Sequence, residues 1–321
     1  MQTVTRILRT LLFVAISMAI VLPASGCGSK KKSKKKGGGL TIAQQLEKAK
    51  AEKTADKQAK AMVKVARQQL SSSDKSGAIA TVTEARKLIA ADGDPNLTGP
   101  GLVEVAGFMA ELGEKKQARE ALDAAKVAAG KVEDALRKAR ILASIGAIYG
   151  SKEKGLSDPK AAGDSLAAAA EAAKSVEERF RAEALGEVAL GYTGAGLSKE
   201  AGEMVSELEK SAMALEDARA KAEGLAAAAA VQGQLKNEDA AKKLLASALE
   251  AAQAVERFDS KAYALIAVAK GYAQLGDKTK AEEIFEEADV AANKTPEADQ
   301  QQAAIEMVRK TMGEMKIKSK K

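Results

Sequence analysis

The chain has 321 residues, of which 46% are hydrophobic and 30% charged, but only 3% are aromatic. Histidine and tryptophan are absent, and the single cysteine is Cys27. A body without histidine or cysteine lacks the usual general base near neutral pH, a thiol nucleophile, disulfides and His/Cys zinc sites. The composition therefore argues against an enzyme, and no cofactor is expected.

The formal net charge of +7 does not describe the body of the chain. Twelve of the 51 basic residues lie near the ends: Arg6, Arg9, Lys30, Lys31, Lys32, Lys34, Lys35, Lys36, Lys316, Lys318, Lys320 and Lys321. The remaining 39 are outnumbered by 44 acidic residues. A nucleic-acid-binding protein is expected to carry a basic folded body, so nucleic acid is excluded as a partner.

The amino terminus has the pattern of an export signal. A basic lead, Met1–Arg9, is followed by an apolar run, Thr10–Leu22, which is too short to span a bilayer comfortably. The run leads to Ala24-Ser25-Gly26-Cys27, which resembles the lipobox of bacterial lipoproteins. The resemblance implies that residues 1–26 are a signal peptide and that Cys27 becomes the lipidated first residue of the mature chain.

Two alternatives to lipidation remain at this stage: an ordinary signal cleaved near Gly26, leaving a free thiol, or an uncleaved anchor. Gly28 stands where an aspartate would signal inner-membrane retention in lipoproteins, so the resemblance implies the outer membrane or its periplasmic face. Display at the cell surface is the alternative location. The expected location is in either case exported and membrane-anchored.

Residues 27–40 are expected to form a tether because like-charged lysines repel one another and Gly37, Gly38 and Gly39 do not order the chain. Contact of these lysines with anionic lipid headgroups is the alternative. The next segment, residues 41–58, is predicted to be one helix. Thr41 and Gln44 form a capping-box pattern at its start.

One pattern of residue types then returns every 40 positions. Its last copy consists of Leu265, Val268, Ala269, Tyr272, Gly276, Ala281, Phe285 and Ala288. The apolar residues before and after Gly276-Asp277 follow two helical stripes, so each copy predicts a helical hairpin. Six hairpins are predicted, with stripes beginning at Met62, Leu102, Leu142, Leu185, Leu225 and Leu265. One hairpin cannot bury both stripes, so neighbours must stack.

The order and spacing resemble the tetratricopeptide repeat, although leucine replaces the usual tryptophan and Asn293 stands at the offset of the closing proline. The family unit has about 34 residues, so the extra residues are interpreted as longer helices. The resemblance implies an all-α, right-handed α-α solenoid of about six hairpins in residues 59–301. Residues 302–321 are predicted to form a cap helix, Gln302–Met315, and a basic tail. Four prolines, Pro95, Pro100, Pro159 and Pro296, are placed in loops.

In the tetratricopeptide family the first helix of each hairpin lines a concave face that binds partners. Transferring the inward offsets gives Arg140, Ala143, Ala147, Gly150, Glu183, Gly186, Leu190, Thr193, Glu223, Ala226, Ala230, Gly233, Tyr263, Ile266, Lys270 and Ala273. Two interpretations remain: a shallow groove for a peptide or helix, or packing of these small residues against adjacent repeats. Tyr149 and Tyr192 occupy the core aromatic offset and are predicted to be buried.

No catalytic or metal-binding motif stands out. The segment Asp92–Asn96 departs from a calcium loop because Leu97 and Val103 replace its glycine and glutamate, and adjacent carboxylates such as Glu177-Glu178 do not face one site. The sequence predicts a membrane-anchored lipoprotein that acts as a non-catalytic protein-interaction scaffold for a protein or peptide. The alternatives are an apolar-ligand or peptide-binding protein and a cell-wall enzyme or its accessory.

Overall fold

The computed structural model describes residues 40–317, and all regular structure within this range is α-helical. The predicted signal peptide, Cys27 and most of the tether lie outside the described residues, as do Lys318, Lys320 and Lys321. The described helices are α1 (Ile42–Lys50), α2 (Ala55–Ser71), α3 (Lys75–Ala90), α4 (Pro95–Glu111), α5 (Lys115–Gly130), α6 (Ala135–Gly150), α7 (Pro159–Lys174), α8 (Glu178–Gly194), α9 (Ser198–Ala214), α10 (Ala218–Gln234), α11 (Glu238–Gln253), α12 (Phe258–Gln274), α13 (Lys278–Asn293) and α14 (Ala298–Glu314).

Six hairpins stack in chain order, as the 40-residue period predicts. Hairpins 1 to 6 are α2–α3, α4–α5, α6–α7, α8–α9, α10–α11 and α12–α13. Each first helix, α2 to α12, also contacts the first helix of the next hairpin, and each second helix contacts the first helix that follows it. The described chain is therefore an all-α solenoid in which first helices form one continuous row.

The turns repeat with the same period in their backbone conformation. Five residues that follow a first helix share a positive φ: Ser73, Gly113, Gly196, Lys236 and Gly276. Gly276 has a φ of 87°, which glycine adopts without steric strain. Asp277 then caps α13 by accepting a hydrogen bond from the Lys280 backbone N–H at 3.0 Å. The predicted end of one helix and start of the next at Gly276-Asp277 is confirmed.

The two predicted stripes of hairpin 6 form its core. Both stripes consist of residues no more than 9% exposed: Leu265, Val268, Ala269, Tyr272, Ala281, Ile284, Phe285 and Ala288. Alanine and glycine occupy the sites where helices come closest, because their small side chains permit close approach. The register predicted from the sequence is therefore the register of the fold.

Leu166 of α7 shows how successive hairpins share one core. This fully buried side chain lies beside Gly146 of its own hairpin and beside Gly191 of α8, the first helix of the next hairpin. A β-carbon added at either glycine would overlap the Leu166 side chain. A large residue of one second helix thus fills the space that small residues leave on two first helices.

Tyr149 is buried, as predicted from its core offset, and so is Tyr192. The Tyr149 hydroxyl donates a hydrogen bond to Asp123 of α5 at 2.8 Å. Burial raises the pKa of Tyr149 most, and this hydrogen bond raises it further. Arg119 of α5 lies over the Tyr149 ring and pairs with Asp158 at 2.9 Å. Asp158 is the N-cap of α7, so this cluster holds the turn between Gly150 and Pro159 of hairpin 3 against hairpin 2.

The last described helix, α14, keeps the repeat register, and no second helix pairs with it among the residues that the structure describes. Ala304 and Val308 are buried at the offsets of Ala264 and Val268. Arg309, however, stands at the offset of Ala269 and is exposed, because no helix of residues 40–317 crosses α14 at this point. The predicted cap helix is confirmed, and it begins at Ala298 rather than at Gln302.

The segment predicted as one helix, residues 41–58, is divided in the structure. The capping box at Thr41 and Gln44 is present, but α1 ends at Lys50 and α2 begins at Ala55. The Gln58 side-chain amide donates to the carbonyl oxygens of Lys50 and Glu52 at 2.9 and 2.8 Å. These bonds satisfy carbonyls that the break exposes.

The loop predictions for Pro95 and Pro159 are wrong by one position, because these prolines are the first residues of α4 and α7. The loop prediction for Pro100 is also wrong. Pro100 lies within α4, which begins at Pro95. Because proline has no backbone N–H, Pro100 removes one hydrogen-bond donor near the start of the helix. The helix continues because its flanking glycines pack closely against neighbours: Gly99 faces Ile141 of α6, and Gly101 faces Ile89 of α3.

Candidate functional site

The row of first helices carries every position that the sequence predicted for an inward surface. These positions lie on α6, α8, α10 and α12. We call this surface the first-helix face and define it by the predicted positions together with Lys60 and Arg67, the charged residues at the same offsets on α2. The structure divides its members into those that hold neighbouring helices together and those that solvent reaches.

Several small members pack against the next hairpin, as one of the two interpretations predicted. A β-carbon at Gly150 would overlap Ala195, and one at Gly233 would lie 2.6 Å from the Leu275 side chain. A β-carbon added at Gly186 would lie 3.4 Å from the β-carbon of Ala227, which is an ordinary van der Waals contact. Ala143, Ala226 and Ile266 are also buried. These positions bring first helices together and offer little surface to a partner.

The accessible members of the first-helix face differ in the chemistry of their side chains. Arg140, Glu183, Leu190, Glu223 and Tyr263 are half-buried, and Lys270 is exposed. Together they present charged, aliphatic and aromatic groups from four successive helices.

Arg140 of α6 is the centre of a charge cluster between two hairpins. Its guanidinium donates to Glu183 and, at 3.1 Å, to Glu187, both on α8. Burial raises the pKa of Glu187, Arg140 lowers it, and the neighbouring Glu183 raises it further. Sequence reasoning selected Arg140 and Glu183 but missed Glu187, although its spacing of four residues from Glu183 places both carboxylates on one side of α8.

Replacing Arg140 with methionine is expected to lower the free energy of unfolding by about 1–2 kcal/mol near neutral pH. The change leaves two adjacent carboxylates without their cation, but their partial exposure keeps the loss below that of a fully buried pair. Because the folded-state pKa of Glu187 is already raised, protonation relieves the repulsion as the pH falls. The destabilisation should shrink between about pH 7 and about pH 5 in thermal unfolding.

The matched control is Lys174→Met, which removes an exposed pair with Glu171. We expect this control to leave the stability unchanged within experimental error at either pH. An Arg140→Met loss that stayed constant across the two pH values would contradict the role assigned to the two carboxylates.

A second cluster joins α10 to α12 at the other end of the face. Arg219 donates to Glu223 at 2.8 Å, and its guanidinium carbon lies 4.9 Å from the centre of the Tyr263 ring. Arg219 was not among the predicted positions, because a helix offset alone does not reveal stacking on the next helix. This end of the face combines a charge pair with an aromatic ring that is still partly accessible.

A cluster between α2 and α4 also combines an arginine, a carboxylate and an aromatic ring, and here the ion pair crosses between the helices. Arg67 donates to Glu111 at 2.8 Å and lies 4.7 Å from the centre of the Phe108 ring. Burial raises the pKa of Glu104, while Lys60 and Arg67 lower it. Ion pairs and cation–π contacts between first helices therefore recur along the row.

Within residues 40–317 no three acidic residues converge as a metal site would require. The described helices include none that is both long enough and apolar enough to cross a membrane.

No protein-family model and no curated protein matches the chain. Among solved structures, Ton1535 from Thermococcus onnurineus NA1 is similar over 82% of this chain and 94% of its own, with 12% sequence identity and a TM-score of 0.40. Acl4, described as an assembly chaperone of RpL4, is similar over 80% of this chain and 98% of its own, with 18% identity and a TM-score of 0.32. At these TM-scores neither likeness supports an argument about function.

Proposed function

We propose that this protein is an exported lipoprotein, anchored through Cys27, whose tetratricopeptide-like body is a non-catalytic scaffold that binds a protein or peptide. The observation that carries the scaffold role is the unbroken row of first helices, α2 to α12, whose accessible residues lie side by side. Helical repeat arrays present extended surfaces of this kind to their partners. The lipobox-like ending at Cys27 supports the anchor.

The proposed mechanism combines shape with confinement. The ion pairs between first helices fix the spacing of the accessible groups, so a partner meets a preorganised surface and less ordering is needed on binding. A lipid anchor and tether would restrict encounters to a thin layer next to the membrane, which raises the effective concentration of partners there. Leu190 and Tyr263 are the proposed apolar contacts, and Lys270 is the proposed peripheral charge.

A second candidate function is binding of an apolar ligand or peptide. A depression of about 310 Å³ lies between α9, α10 and α11, lined by the apolar side chains of Met213 and Leu225 and by Lys221 and Glu250. This volume is at the lower end of the range for small-molecule sites. Denaturing the purified protein and analysing the released small molecules by mass spectrometry distinguishes this carrier from a scaffold.

Replacing Cys27 with serine is expected to release the protein from the membrane fraction, because the thiol that would carry the lipid is lost. The helical circular dichroism should not change, since position 27 precedes the described solenoid. Fractionation and spectroscopy of the same preparation check both expectations. Continued sedimentation of the Cys27→Ser protein with membranes would count against lipid anchoring.

Site-specific photocrosslinking in the native envelope tests the scaffold role. A photoreactive residue at Leu190 or Ala147 on the first-helix face is expected to form protein adducts that mass spectrometry can identify. The controls are Ala124 and Ala246, which are exposed on the second helices α5 and α11. Adducts that arose only from the control positions would show that the partner uses the opposite side.

A further inference from the structure

Positive and negative charges are unevenly distributed along the described residues. Residues 40–91, which contain α1 and hairpin 1, carry ten basic and five acidic residues. Residues 175–294, which contain hairpins 4 to 6, carry fifteen basic and twenty-two acidic residues. The slight net negative charge of the body therefore conceals a basic amino-terminal end and an acidic carboxyl-terminal half.

The excess positive charge of hairpin 1 is concentrated on one side of α2. Lys57, Lys60 and Lys64 follow one another at spacings of three and four residues, so they share a stripe, and all three are exposed. We call these three residues the α2 lysine stripe. Lys60 stands at the offset that Arg140 and Glu183 occupy in later hairpins, and Lys64 stands at the offset of Glu187.

The surrounding carboxylates neutralise this stripe only in part. The carboxylate of Glu104 on α4 attracts the positive charges of Lys60 and Arg67. Arg67 also forms an ion pair with Glu111. Within residues 40–317 neither Lys57 nor Lys64 has an ion-pair partner. Arg67 and Arg140 pair with carboxylates of the next first helix, whereas Lys57 and Lys64 leave two exposed cationic groups on α2 for a partner outside the chain.

The stripe lies close in sequence to the proposed anchor. Leu40 lies thirteen positions after Cys27, a stretch that spans at most about 45 Å when fully extended. Six further lysines lie within it. If Cys27 is lipidated, hairpin 1 is therefore the hairpin tethered nearest to the membrane surface.

We propose that the α2 lysine stripe docks on anionic phospholipid headgroups and thereby holds hairpin 1 against the membrane. The argument rests on the proposed lipid anchor for its setting and on charge complementarity for the contact. Anionic headgroups attract lysines near the surface, and they repel the acidic hairpins 4 to 6. The accessible part of the first-helix face in those hairpins, including Leu190 and Tyr263, is then kept available for a protein partner.

The composition of this end favours lipid over nucleic acid. Residues 40–91 contain no phenylalanine, tyrosine or tryptophan, so this segment offers no aromatic ring on which a base could stack. Eight of its ten basic residues are lysines, which act as point charges rather than as the planar, bidentate groups that arginine supplies for base and phosphate recognition. A diffuse layer of lipid phosphates requires only such point charges.

The test uses the mature chain, residues 27–321, carrying Cys27→Ser, so that neither an acyl chain nor the apolar run of residues 10–22 contributes, in flotation assays with phosphatidylglycerol vesicles and phosphatidylcholine vesicles. Binding is expected only to phosphatidylglycerol. Changing Lys57, Lys60 and Lys64 to glutamine should weaken this binding at least about tenfold. The matched control changes Lys242, Lys243 and Lys278, which are exposed on α11 and α13, and should weaken it less than about threefold.

A third variant changes the six lysines of residues 30–36 to glutamine and keeps the stripe. If only this variant lost binding, the tether alone would contact the lipid and the proposal would be overturned. Stripe-dependent binding to duplex DNA that exceeded vesicle binding would also overturn it. Because every protein in this assay lacks Cys27, the result is independent of whether the anchor itself is confirmed by fractionation.

Discussion

Replacing Leu166 with alanine is expected to lower the free energy of unfolding by about 2–5 kcal/mol. Leu166 is fully buried and lies beside Gly146 of its own hairpin and Gly191 of the next. Neither glycine has a side chain that could move into the vacated space, so the cavity should persist. The loss should therefore fall in the upper part of this range and appear as a lower midpoint of urea denaturation.

Leu70→Ala is the matched control for this experiment. Leu70 lies at the end of α2 and is 36% exposed, so the same truncation removes fewer contacts and leaves no enclosed cavity. We expect a change of less than about 1 kcal/mol. Equal losses at Leu166 and Leu70 would mean that Leu166 does not join two hairpins as the structure indicates.

Replacing Ala269 with phenylalanine is expected to lower the free energy of unfolding by about 1–3 kcal/mol. Ala269 is fully buried on α12 at the small-residue position that recurs in every hairpin, where the first helix crosses the second. A phenyl ring at this position would force α12 and α13 apart. Urea denaturation followed by circular dichroism measures the loss.

Ala246→Phe on α11 makes the same chemical change at an exposed position. It should change the free energy of unfolding by less than about 1 kcal/mol, because the ring can extend into solvent and only helix propensity is altered. A neutral outcome for Ala269→Phe would show that the register assigned to the repeat is wrong.

Much of the fold could be predicted because one physical requirement is repeated six times. The buried stripe of Leu265, Val268 and Ala269 recurs at a fixed offset, and so does the turn at Gly276. Repetition makes each unit a check on the others, so single departures such as the missing tryptophan did not change the interpretation. The backbone conformation of the turns follows the same period even where Ser73 and Lys236 replace glycine.

The local errors occurred where tertiary contacts override short-range signals. Pro100 is a loop signal in the sequence, yet Gly99 and Gly101 on either side of it pack against isoleucines of two neighbouring helices. The break after Lys50 has no proline or glycine to mark it. It depends on the Gln58 side chain, which satisfies the exposed carbonyls from the following helix.

The candidate site was predictable in position but not in its contacts. The offsets placed Arg140 and Glu183 on neighbouring first helices, but the pairing of Arg140 with Glu187 depends on the distance between α6 and α8. The same limitation applies to Gly150 and Gly233. Their size is compatible with either an open groove or close packing, and only the structure shows that they pack against Ala195 and Leu275.

Circular dichroism of a single excised hairpin, residues 215–254, tests most directly whether hairpins bury their apolar sides only against one another. The account predicts that this peptide, which contains α10 and α11, is largely unfolded in water because neither stripe has a neighbouring hairpin to cover it. The full-length chain under the same conditions should be strongly helical. A single hairpin with native helicity and a cooperative thermal transition would contradict the account.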